Sequence, residues 1–163
     1  MTTIACDLKQ MAADSRVTLD GLAMGGFSSV KIVSTERAIY GMAGENCDGQ
    51  TIALEWLSAG GTVATAGARP EPPVEADWII VELTRGGIAL YNTQLEREAV
   101  LNQFITAGSG GKVAAYCMKF LGMSPVEAVR EACKVDPYSG HPIYHAMLRD
   151  RVVRPWRPKG KRK

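Results

Sequence analysis

Long apolar runs are missing from this chain. No stretch approaches the roughly 20 consecutive apolar residues that a membrane-spanning helix needs. The opening residues, Met1-Thr2-Thr3-Ile4-Ala5-Cys6-Asp7, have neither the basic start nor the apolar stretch of a signal peptide, so a cytoplasmic protein with no membrane partner is expected. Paired cysteines are missing as well. Cys6, Cys47, Cys117 and Cys133 are scattered with no C-x-x-C among them, which suits neither a disulfide framework nor a zinc site. Cys117 and Cys133 fall on apolar faces of predicted helices and read as small buried hydrophobes. Histidine is scarce: His141 and His145 stand four apart with no third ligand nearby in sequence. No metal and no cofactor are expected.

What is present suits one globular domain. The 163 residues are 46% apolar and 22% charged, enough to bury a core. Charge is uneven along the chain. Residues 149–163 hold eight Lys or Arg against Asp150, whereas the preceding 148 residues hold 11 basic and 16 acidic groups. A domain over 2–151 followed by a basic tail over 152–163 is the expected organisation. The prolines of that tail prevent a helix. It reads as a solvated segment or one packed on a neighbouring subunit, with nucleic acid or an acidic surface as the alternative partner.

Pattern then orders the elements. Thr3 to Leu8 reads as a strand, followed by a tight turn and a second short strand into Ala12-Ala13-Asp14. Val30 to Val33 and Ala38 to Ala43 are two more. A helix runs from about Asp48 to Ser58, with Ile52, Trp56 and Leu57 on one face, and Gly60-Gly61 stops it. Residues 60–76, rich in Gly, Pro and Ala, read as a loop. Trp78 to Leu83 and Ile88 to Tyr91 form a hairpin, and a strand is expected near Ala99 to Ile105. A helix follows with Val113, Ala114, Cys117, Phe120 and Leu121 on one stripe. Another begins at Ser124-Pro125-Val126-Glu127, a capping box with proline at the first helical position. Asp136 to Gly140 is a turn, and Ile143 to Arg151 a final strand. Helices segregated between blocks of antiparallel strands predict an α+β layered fold.

Three features carry chemistry. Removal of Met1 would leave Thr2 with a free α-amine, whose pKa near 7.7–8.0 lets it act as a base on its own hydroxyl. Lys31, alone in an apolar-edged strand, needs an anionic partner, and Asp14 is the candidate. Gly41-Met42-Ala43-Gly44 at a strand-to-helix junction allows close approach of a substrate backbone and offers an N–H suited to an oxyanion hole.

Together these features resemble a known family. Thr2-Thr3-Ile4, Ala12-Ala13-Asp14-Ser15-Arg16-Val17-Thr18, Val30-Lys31, Met42-Ala43-Gly44, Gly108-Ser109-Gly110-Gly111 and Asp136-x-Tyr138-Ser139-Gly140 follow the order and approximate spacing of proteasome β-subunits and HslV-like ring peptidases, the N-terminal-nucleophile threonine peptidases. The resemblance implies a four-layer αββα sandwich with Thr2 as nucleophile and its amine as proton acceptor. Lys31 then activates the hydroxyl, Asp14 orients Lys31, and Gly44 supplies the oxyanion-hole N–H. Ser109, Asp136 and Ser139 position the amine. Thr18 pairs with an extended substrate, and Met42 walls an apolar specificity pocket. Substrates would be peptides or unfolded proteins, handled inside a homo-oligomeric ring with an ATPase unfoldase as a possible partner. Two departures stand out: a shorter hairpin between Thr2 and Asp14, and the Pro-rich segment 61–76 where the family has a second outer helix. One outer helix is therefore expected to be missing, which touches partner docking and ring size. The competing readings are a small-molecule amidohydrolase with the same chemistry, and a non-catalytic ring or scaffold subunit that keeps Met1.

Overall fold

The computed structural model describes residues 2–19, 22–44, 48–61, 68, 70 and 77–157. The expected missing helix lies mostly outside these residues, as does the basic tail beyond Arg157. The strands are β1 (Thr3–Asp7), β2 (Gln10–Asp14), β3 (Arg16–Leu19), β4 (Leu22–Ser28), β5 (Ile32–Ser34), β6 (Ile39–Gly44), β7 (Trp78–Thr84), β8 (Gly87–Tyr91), β9 (Arg97–Val100), β10 (Phe104–Gly108), β11 (Ile143–Met147) and β12 (Arg154–Pro155). The helices are α1 (Asp48–Ser58), α2 (Gly111–Leu121) and α3 (Pro125–Val135).

Two five-stranded sheets, ordered β10-β1-β2-β11-β12 and β5-β6-β7-β8-β9, face each other, and β3-β4 forms a separate ribbon. Alternation along each strand supplies the core between them. Ile4, Cys6, Met11 and Ala13 from the first sheet meet Ile39, Ala43, Val81 and Leu83 from the second. The opposite face of the first sheet presents Ala5 and Ala12 to Ala114 of α2 and Ala128, Val129 and Ala132 of α3. Small side chains on both sides of that seam let the helices lie close to the sheet. The outer face of the second sheet carries Tyr40, Trp78, Ile80 and Tyr91, covered by Ala53, Leu54 and Leu57 of α1. Helices, sheet, sheet, helix: the layering is αββα, an α+β sandwich.

Several expectations need correction. The strand expected near Ala99 to Ile105 is two strands in different sheets. β9 edges the second sheet and β10 the first, because the polar Asn102-Gln103 step breaks the apolar run and the chain crosses there. The final strand stops at Met147, where a turn begins, rather than reaching Arg151. On α1, Ile52 is exposed and Ala53 and Leu54 are buried in its place. On α2, Ala114 and Cys117 face the sheet while Phe120 and Leu121 face out.

The capping box at Ser124 forms, with the Ser124 N–H donating to Glu127 Oε2 at 3.0 Å. Burial pushes the Cys133 thiol up to about 12, in keeping with a packing role. Part of the segment read as tail joins the fold: β12 pairs with β11, and Trp156 packs beside α3 with its backbone N–H donating to Ile143 O at 2.7 Å. No helix among the described residues is long and apolar enough to cross a membrane.

Candidate active site

Strand pairing delivers the site. β1 lies between β10 and β2, so its first residues are flanked by the end of one neighbour and the end of the other. Thr3 stands opposite Gly108, and Ile4 opposite Ala13, one residue before Asp14. β11 closes the other side of β2, setting Ile143 opposite Asp14 and drawing the 136–140 turn against it. Gly108 takes φ +86°, and a Cβ there would collide with the Thr2 carbonyl, so only glycine allows this approach.

Asp14 is fully buried, and its carboxylate accepts four hydrogen bonds. Oδ1 receives the Thr3 N–H at 2.8 Å and Lys31 Nζ at 3.1 Å. Oδ2 receives the Arg16 N–H at 3.0 Å and the Gly140 N–H at 3.0 Å. A buried carboxylate with two donors at each oxygen has its desolvation offset, and it fixes everything attached to it. Lys31, just ahead of β5, is 9% exposed and also donates to the Arg16 carbonyl at 2.8 Å. Burial pushes its ammonium below the ordinary lysine range, while Asp14 pulls in the opposite direction.

A second cluster adjoins the first. Asp136 Oδ2 accepts from Ser109 Oγ at 2.7 Å and from Ser139 Oγ at 2.5 Å, and Oδ1 accepts the Tyr138 N–H at 3.3 Å. Ser109 Oγ also reaches the Thr2 carbonyl at 3.4 Å. Ser139 is fully buried, and its Oγ lies 2.6 Å from Thr3 Oγ1.

The structure thus gathers Thr2, Asp14, Lys31, Ser109, Asp136 and Ser139 into one connected network. Gly44 ends β6 beside it. Its φ of +124° and its close approach to Asp77 and Trp78 demand glycine, and the preceding Ala43 lies against the Gly108 backbone position. Two expected residues stand further off. Thr18 pairs with Ala23 in the β3-β4 ribbon, two residues beyond Arg16. Met42 touches the site through its backbone, its N–H donating to the Lys31 carbonyl at 2.9 Å, but its side chain packs with the cluster beneath α1.

Three residues given no role from sequence are part of the network. Gly140 and Thr3 each donate a backbone N–H to Asp14. Arg16 donates its N–H to Asp14 and, through its guanidinium, bonds the Pro137 carbonyl at 2.7 Å. That second bond clamps the turn holding Asp136 and Ser139. The signal was the carboxylate itself, which needs donors from its own neighbourhood. No group of three or more potential metal ligands occurs among the described residues.

No protein-family model matches the chain, and no curated protein matches it in sequence. Among solved structures it is similar to the crystal structure of eukaryotic HslV from Trypanosoma brucei, with a TM-score of 0.66 and 16% identity over 89% of this chain and 98% of that chain. The likeness is one of fold: this chain has the HslV fold, the architecture its sequence motifs resemble.

Proposed function

We propose that the chain is a proteasome-like threonine endopeptidase, using Thr2 as nucleophile once Met1 is removed, within a homo-oligomeric ring. One observation carries the reading. The buried Lys31–Asp14 ion pair shares a carboxylate oxygen with the Thr2–Thr3 peptide, so a fixed cation stands one hydrogen-bonded oxygen from the peptide N–H that follows Thr2. A pair that pays desolvation is easiest to justify where its charge is used.

In this reading the Thr2 hydroxyl oxygen attacks the peptide carbonyl carbon and its proton passes to the α-amine. Lys31 stabilises the developing alkoxide, and Asp14 holds Lys31. The Gly44 N–H receives the carbonyl oxygen as it becomes an oxyanion. Collapse of the tetrahedral intermediate breaks the C–N bond, and the leaving amine takes the proton, giving an ester on Thr2. Water, deprotonated by the same amine, then cleaves the ester and restores the hydroxyl. Ser109, Asp136 and Ser139 hold the amine, whose ordinary pKa near 7.7–8.0 suits a base at neutral pH. Thr18 pairs with the extended substrate; Met42 takes part through its backbone, which holds the Lys31 carbonyl, because its side chain packs beneath α1. An ATPase unfoldase that feeds the ring belongs to the same reading.

The test is intact mass combined with covalent labelling. A chain lacking Met1, labelled at Thr2 by a threonine-directed electrophile and hydrolysing peptides, supports the proposal. Peptide hydrolysis that survives Thr2→Ala contradicts it.

A further inference from the structure

Thr3 stands between the two halves of the site. Its N–H donates to Asp14 Oδ1 at 2.8 Å, the oxygen that also receives Lys31. Its side chain, fully buried, lies 2.6 Å from Ser139 Oγ. Proton counting sets the direction of that second bond. Ser139 has one hydroxyl hydrogen and gives it to Asp136 Oδ2, and a carboxylate acceptor has none to return. Ser139 therefore accepts from Thr3, and the hydrogens run from Thr3 to Ser139 to Asp136, with Ser109 joining from the other side. Such chains polarise one another, so the first donor strengthens the later bond.

We propose that Thr3 is a positioning residue for the Thr2 reaction, fixing the acidic Ser109–Asp136–Ser139 cluster relative to the Lys31–Asp14 pair through its hydroxyl and its backbone N–H. This inference rests on the reading of Thr2 as nucleophile. Complete burial excludes Thr3 from that role itself. Space is arranged around its oxygen: a Cβ on Gly110 would collide with Thr3 Oγ1, so glycine there leaves room for the hydroxyl to reach Ser139. The β-branch at Thr3 limits its rotamers, which makes it a better fixed donor than a longer side chain. With the Thr3 hydrogen lost, Ser139 is held from one side only. Its grip on Asp136 loosens, and the negative surroundings that favour a charged Thr2 amine weaken.

Thr3→Val removes the hydroxyl but keeps the backbone donor and the branch. With a fluorogenic peptide, kcat is expected to fall by about 10–100-fold with KM unchanged, a loss that only reaches the lower bound of direct acid–base assistance, as suits a positioning residue. The acid limb of the kcat profile, set by the amine, moves to lower pH. Thr3→Ser restores most of kcat and the original limb. Wild-type kcat and limb in Thr3→Val overturn the inference, and so does a Thr3→Ser variant as impaired as Thr3→Val. Should Thr3→Val fail to fold, Thr3→Cys, of similar size with a weak donor, is expected to show the same loss and shift, and a wild-type profile there overturns the inference equally. Wild-type turnover that survives Thr2→Ala removes the parent reading instead, so the two failures are told apart by that control.

Discussion

Asp14→Asn tests the architecture of the site with a single atom change. The carboxylate takes two donors at each oxygen: Thr3 N–H and Lys31 at Oδ1, Arg16 N–H and Gly140 N–H at Oδ2. An amide has one acceptor oxygen, so either orientation loses two hydrogen bonds and sets an NH2 against two donors. Each lost bond to a buried group costs about 1–3 kcal/mol, and an ammonium left without its partner adds to this. Removing one partner of a buried ion pair typically costs about 3–5 kcal/mol, and Asp14→Asn is expected in that range. Urea unfolding of wild type and variant at neutral pH measures it, with m-values compared to confirm like transitions. A loss below about 1 kcal/mol, the scale of one ordinary hydrogen bond, would refute the reasoning, since Asp14 would then not be the acceptor of all four donors.

Other outcomes follow from the same geometry. Folded Lys31 releases its proton at lower pH than an unfolded lysine near 10.4, so the unfolded state binds more protons between the two values. Stability from this group therefore improves as pH rises through that window, while activity falls as the cation is lost. The alkaline limb of kcat should lie below the usual lysine value and move lower still in Asp14→Asn, because Asp14 raises the Lys31 pKa. A limb unmoved by that substitution contradicts the assignment. Gly108→Ala forces a side chain into a left-handed backbone and against the Thr2 carbonyl, so circular dichroism should show a folded protein destabilised by about 1–3 kcal/mol and assays a large loss of turnover. Native mass should show a ring, with Phe120→Glu lowering the assembled fraction because Tyr116, Phe120 and Leu121 are exposed on the outer face of α2; a wild-type monomer at micromolar concentration removes the ring.

Much of this architecture was legible in the sequence where local chemistry leaves few choices. Lys31 at the start of an apolar run needed an anion, and Asp14 supplies it, although the strand itself begins only at Ile32. Ser124, Pro125 and Glu127 marked a helix start that is present. The β3-β4 ribbon was missed, although Asp20-Gly21 stands between Val17-Thr18-Leu19 and Leu22-Ala23-Met24, the spacing of a two-residue hairpin turn. β9 and β10 read as one strand because periodicity cannot say which sheet a strand joins. Phe120 and Leu121 continue the apolar stripe of α2 yet stay exposed, since the cluster beneath takes Ala114 and Cys117 with Val113 and Met118 at its margin. Gly140 to Asp14, Thr3 to Ser139 and Arg16 to Pro137 are contacts more than a hundred residues apart, which no local pattern encodes.

The central claim is that Thr2 supplies both hydroxyl and amine. The most direct measurement compares the chain beginning at Thr2 with one carrying an untrimmable residue before it, with intact mass confirming both ends. The extension turns the basic amine into an amide and leaves the hydroxyl in place. Peptide hydrolysis is predicted to drop to the level of Thr2→Ala in the extended chain. Hydrolysis as fast as in the free-threonine form would contradict N-terminal-nucleophile chemistry here.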